Sequence, residues 1–148
     1  MVSESARMSS AQEARYRVQA PNSLPRTIKI VALDPRAETV LRSLALSSWQ
    51  RAVFYTASSF TRDLETEVAT ADLVIMVAGP GGGAQEARTI GAACSARRVN
   101  TTALIVGAAD ASDEALAPTL AQVRPWSLVV VIANNDDYIH DMLTALRA

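Results

Sequence analysis

Four glycines in five positions, Gly79, Gly81, Gly82 and Gly83 around Pro80, are the strongest chemical signal in the chain. Glycine is required where backbone must approach a ligand closely or take positive φ. A helical pattern follows almost at once, so free N–H groups at its start would face whatever the turn holds, and phosphate or carboxylate is the natural guest. A tight strand-to-helix connection would use the same residues, and both readings stay open. Other polar residues also follow apolar runs: Asp34 and Arg36, Ser58 and Ser59, Asp110, and Asn134, Asn135 and Asp136. If those runs are parallel strands, all of these residues rim the crevice beyond the strands' carboxyl ends, where open α/β sheets bind ligands. Glu86, in the first helical turn after the glycines, competes with an anion for the same N–H groups, and only Arg36 and Arg88 offset the acids of the rim. Asp34 and Asp110 are the candidates for acid–base work or for Mg²⁺, which takes carboxylate and phosphate oxygens together. Capping of helices is the ordinary use of Asp34 and Asp136.

Several familiar chemistries lack their parts. A dinucleotide fingerprint needs G-x-G-x-x-G after the first strand, where Ala32-Leu33-Asp34-Pro35 stands. A phosphate loop of the form G-x-x-x-x-G-K-[ST] is missing, and Lys29 lies inside a strand. The phosphoacceptor Asp of a receiver domain would end the third strand, where Ala78-Gly79 stands. His140 is the sole histidine and Cys94 the sole cysteine, which excludes an internal disulfide and a Cys- or His-rich metal site and leaves no spare parts for a Ser-His-Asp triad. Cys94 falls on the buried side of its helix and reads as a small hydrophobe, His140 as a surface residue. Trp49 and Trp126 read as packing at element ends. No residue is assigned a catalytic role, none a metal, and the cofactor is left open.

The elements that must position these residues follow from periodicity. Ile28 to Leu33 is a strand, and Asp34-Pro35 is an N-cap with proline at the first helical position. Ala37, Val40, Leu41, Leu44 and Ala45 recur at helical spacing. Ala52 to Ala57 is a second strand, followed by a helix with Phe60, Leu64 and Val68 on one face. Leu73 to Ala78 is the most strand-like stretch, as expected of a strand buried on both faces. Ala87, Ile90, Gly91 and Cys94 mark the next helix, and Thr102 to Gly107 a fourth strand. Ser112 opens a helix that Pro118 must kink or restart. Leu128 to Ala133 is a fifth strand, and Ile139, Met142, Leu143 and Leu146 face the core from a last helix. Alternating strands and helices predict a single Rossmann-like α/β domain, a three-layer fold with a mostly parallel five-stranded sheet and helices on both faces. Residues 26–148 form that domain, and residues 1–25, without a periodic apolar pattern, read as a flexible N-terminal tail.

The 148 residues suit one domain, with 49% hydrophobic and 20% charged residues and a net charge of −1. That charge argues against nucleic acid as a partner, and no apolar run is long enough for a membrane. Without a signal-peptide core the chain reads as cytoplasmic. Abundant alanine, and arginine in place of lysine, fit a GC-rich bacterial genome.

Ala71 to Gly83, running Ala-Asp-Leu-Val-Ile-Met-Val-Ala-Gly-Pro-Gly-Gly-Gly, resembles the nucleotide-binding half of the tubulin and bacterial cell-division GTPase (FtsZ) family. There an Ala-Asp-led strand ends in Ala-Gly-x-Gly-Gly-Gly, and the loop holds nucleotide phosphates. Ser127 to Asp136 is similar to the last strand of that half, which ends near an Asn-Asp pair. The resemblance implies the strand order 2-1-3-4-5 and a nucleotide or phosphate in the crevice. Here the loop continues Ala84-Gln85-Glu86-Ala87 in place of Thr-Gly-Thr/Ser-Gly, and the first strand runs into Leu33-Asp34-Pro35-Arg36 in place of a glycine turn. The leading expectation is therefore a non-catalytic domain that binds a small anionic ligand or a protein partner through the crevice. Asp34, Arg36, Gly79, Gly81, Gly82, Gly83, Asp110, Asn134 and Asn135 would form that site. A Mg²⁺-dependent enzyme acting on a nucleotide or phosphate is the alternative, and a structural homo-oligomer the third reading.

Overall fold

A computed structural model describes residues 27–135 and 137–148. The expected N-terminal tail and Asp136 lie outside the described residues. Five strands, β1 (Ile28–Ala32), β2 (Ala52–Thr56), β3 (Leu73–Ala78), β4 (Asn100–Ile105) and β5 (Val129–Ile132), form one sheet in the order β2-β1-β3-β4-β5. Every neighbouring pair is parallel, in the expected order. Ile30 of β1 lies opposite Phe54 on one side and Ile75 on the other.

Side chains alternate along a strand, so each strand feeds two cores. Ile28, Ile30 and Ala32 join Ile75, Val77 and Leu104 under α1 (Pro35–Leu44) and α6 (Asp137–Ala145). Val31, Val74, Met76 and Ile105 pack on the opposite face. That face is covered by α2 (Ala57–Arg62), α3 (Leu64–Ala69), α4 (Ala87–Ala96) and α5 (Asp113–Val123). All four residues expected on one face of α4, namely Ala87, Ile90, Gly91 and Cys94, are buried. The helix expected around Phe60, Leu64 and Val68 is two short helices, because Asp63 leaves the helical region at φ −131°, ψ 46°. The helix holding Pro118 is continuous from Asp113 to Val123. Proline there frees only the carbonyl four residues back, on exposed Glu114, where water can replace the lost bond.

Lys29 sits in β1, an inner strand, and is only 5% exposed. Its Nζ donates to the Glu67 carbonyl oxygen at 2.7 Å and to Thr70 Oγ1, and lies 3.4 Å from Glu67 Oε2. The ammonium thus closes the carboxyl end of α3, where orphan carbonyls and the helix dipole favour a cation.

Candidate functional site

Chain reversal in strand order falls between β1 and β3, so the crevice opens over their carboxyl ends. β1 gains one more bond to β3, from Leu33 N to Val77 O at 2.8 Å, before the chain turns at Asp34. Asp34 is extended (φ −145°, ψ 171°) and caps α1. Its Oδ1 accepts from Ala37 N at 2.8 Å, and its Oδ2 accepts from Gly79 N at 2.7 Å. Both carboxylate oxygens are therefore engaged, one by its own helix and one by the glycine turn.

The turn itself is held by α5. Gly81 N donates to the Ala115 carbonyl at 3.0 Å. Buried Thr119 accepts from Gly82 N at 2.9 Å and donates to Gly79 O at 3.0 Å. Gln122 accepts from Ala84 N at 2.9 Å and donates to Gly82 O at 2.8 Å. Positions 115, 119 and 122 share one face of a helix, which is why a single helix can hold successive parts of the turn. The glycines are explained by this docking. Gly81 and Gly82 have φ of +113° and +78°, a region that L side chains avoid. A Cβ on Gly82 would stand 3.0 Å from Pro118 Cβ, and one on Gly83 3.3 Å from Asp34 Cβ. The amides of Gly79, Gly81, Gly82 and Ala84 are thus spent on the protein itself.

Arg36 lies in the crevice. A Cβ on Gly79 would fall 2.9 Å from Arg36 Cδ, and one on Gly107, left-handed at φ +70°, would fall 2.2 Å from Nε and 2.4 Å from Cζ. The arginine stem therefore runs over the loop after β3, and its guanidinium rests on the loop after β4. No hydrogen bond or ion pair joins that guanidinium to a described residue.

The remaining expected residues share this end of the sheet without joining the Asp34–Gly79 contact. Asp110 ends a short 3₁₀ turn (Ala108–Asp110) and is exposed. Asn134 is exposed, and Asn135 Oδ1 accepts from Tyr138 N at 3.1 Å, capping α6. Ser59 completes a capping box with Thr56 at the start of α2. Glu86 stands at the start of α4 without capping it. Among the described residues, no three His, Cys, Asp or Glu side chains are grouped to hold a metal ion. Cys94 is buried, and burial pushes its thiol up to about 11. No described helix is long and apolar enough to cross a membrane.

Thr119, Gln122 and Gly107 are the residues of this region that sequence reasoning missed. Their roles depend on contacts between segments 25 or more residues apart, and no local pattern announces those. Cavities also open away from the crevice. One of about 370 Å³ lies at the amino ends of β4 and β5, with Trp126 and Leu128 in its wall. Another of about 230 Å³ lies between α1 and β2. The chain matches no protein-family model, no curated protein and no solved structure.

Proposed function

We propose that the crevice over β1, β3 and β4 binds a small anionic ligand, anchored by Arg36, in a domain that binds rather than catalyses. The observation that carries this reading is the position of the Arg36 guanidinium. It spans the loops after β3 and β4 from the helix that follows β1, and its donors are unspent on described residues. A guanidinium offers five N–H donors in a planar fork that matches phosphate or carboxylate. The resemblance of Ala71 to Gly83 to the phosphate loop of the tubulin and FtsZ family favours a phosphate-bearing ligand such as a nucleotide. The anchoring group in this reading is a side chain and not the glycine turn, where the amides of Gly79, Gly81, Gly82 and Ala84 already have partners.

The enzymatic reading uses Asp34 and Asp110 together as acid–base groups or Mg²⁺ ligands. Each Asp34 oxygen already accepts an amide hydrogen in holding the backbone, and Asp110 is exposed and does not join the Asp34–Gly79 contact. That weighs toward binding alone.

Isothermal titration of the full chain with inorganic phosphate and with nucleoside di- and triphosphates, with and without Mg²⁺, tests the proposal. Loss of the hydrogen bonds to a charged ligand should weaken binding by roughly tenfold or more in Arg36→Ala, with Arg36→Lys in between. Equal affinity in Arg36→Ala, or no binding to any of these anions, overturns it. Steady release of phosphate from a nucleotide would establish the enzymatic alternative.

A further inference from the structure

Among the described residues β5 is an edge strand, hydrogen-bonded only to β4. The seven residues from Ser127 to Ala133 carry no charge, and Leu128, Val129 and Ile132 are 71%, 49% and 44% exposed. Leu128 and Ile132 belong to one face of the strand and Val129 to the other, so both faces are bare at this edge. Proteins normally protect such an edge with lysine, proline, a bulge or a covering element. Among the described residues nothing of that kind is present: the register from Thr102 opposite Val129 to Ile105 opposite Ile132 is unbroken, and Ser127 to Ala133 contains neither lysine nor proline. The other edge strand, β2, is also uncharged from Ala52 to Thr56, with Val53 43% exposed. β2 follows Arg51, and the amides of Gln50 and Arg51 both donate to the main-chain oxygen of Ala148 at its entrance.

We infer that β5 pairs antiparallel with β5 of a second copy of this chain, across a twofold axis, to give one ten-stranded sheet. A twofold axis beside an edge strand sets the two strands antiparallel, so the strand complements itself and its unpaired N–H and C=O groups are satisfied at once. The uncharged stretch meets its own copy without like-charge repulsion, which is what a self-complementary surface requires. The area is sufficient as well. Seven residues of strand span about 23 Å, and helix, sheet and helix are roughly 25 Å deep, giving roughly 600 Å² per copy. Stable interfaces begin near about 600 Å² per partner. In this arrangement the 370 Å³ cavity at the amino end of β5 faces the carboxyl end of the partner strand.

Sedimentation equilibrium of the full chain, alongside Leu128→Lys and Val129→Lys, tests the pairing. The wild type should reach twice the mass of one chain, and each lysine variant should stay at one chain while keeping the wild-type far-ultraviolet spectrum. Hydrogen exchange of the wild type alone guards against a variant that fails to fold. Protection of the Val129 to Ile132 amides should rise as protein concentration is raised about a hundredfold, as mass action demands. A wild type that stays monomeric throughout, lysine variants as dimeric as the wild type, or protection independent of concentration would each overturn the inference.

Discussion

The Asp34 carboxylate bridges two segments 45 residues apart: one oxygen holds the first turn of α1, and the other lies 2.7 Å from the amide of Gly79. A single side chain thus fixes the helix after β1 against the loop after β3, at the point where strand order reverses. Arg36, two residues on, is carried by the same helix turn and inherits its position over Gly79 and Gly107.

Replacing Asp34 should therefore cost more than a helix cap. Loss of a cap is worth about 1 kcal/mol, and loss of a hydrogen bond to a charged acceptor about 1.5–3 kcal/mol. Asp34→Ala is expected to lower unfolding free energy by roughly 2–4 kcal/mol on these figures. Asp34→Asn keeps one acceptor oxygen and should lose less. Urea melts with unchanged slope would measure both.

The Thr119 hydroxyl serves two backbone groups of the glycine turn, and its residue is fully buried. Thr119→Val preserves shape and leaves the Gly82 amide and the Gly79 carbonyl without it. An unsatisfied buried group costs about 1–3 kcal/mol, so a loss of roughly 2–4 kcal/mol is expected, against little for Thr119→Ser. Equal stability of the valine and serine variants would contradict the clamp.

Gly91 lies where α4 meets the turn Arg124–Trp126. A Cβ there would stand 2.3 Å from Trp126 Cβ and 3.0 Å from the Trp126 carbonyl oxygen. Alanine gains about 1 kcal/mol of helix propensity over glycine, and overpacking costs typically 1–3 kcal/mol and at times more. The steric term should win in Gly91→Ala. Adding Trp126→Ala should give no rescue, because alanine retains the Cβ and the carbonyl that clash. A thermal melt of single and double variants decides.

Alkaline pH should destabilise the fold through Cys94 and Tyr55. Burial raises the Cys94 thiol from 9.0 to about 11. Burial first, and then hydrogen bonding and charge from Glu67, hold the Tyr55 phenol above its ordinary range. The unfolded chain releases these protons first, so the stability they contribute is complete below about pH 9 and is lost as pH climbs toward 11. Cys94→Ala should flatten stability between those values, and Tyr55→Phe should flatten it at higher pH. Chemical denaturation from pH 8 to 11 would show whether the slopes change.

Elements with their own periodicity were legible in the sequence. β3 matches Leu73 to Ala78, and Asp34-Pro35 announced the start of α1 through its cap. β4 was displaced, expected over Thr102 to Gly107 and found over Asn100–Ile105. Asn100 and Thr101 look like loop residues, but pairing with Leu73 and Val74 of β3 draws them into the sheet. The crevice shows the same division. The locations of Asp34, Arg36 and the glycines could be read from the chain. That Asp34 spends its second oxygen on Gly79, or that Thr119 and Gln122 hold the turn, depends on segments meeting after folding.

The placement of Lys29 has a practical consequence. The sole lysine of the chain has its ammonium folded against the end of α3, 2.7 Å from the Glu67 carbonyl. The native protein consequently offers no lysine amine to acylating reagents, to amine cross-linkers or to an enzyme that attaches a modifier to lysine. Labelling at that residue becomes a clock for the rate at which α3 lifts from the sheet.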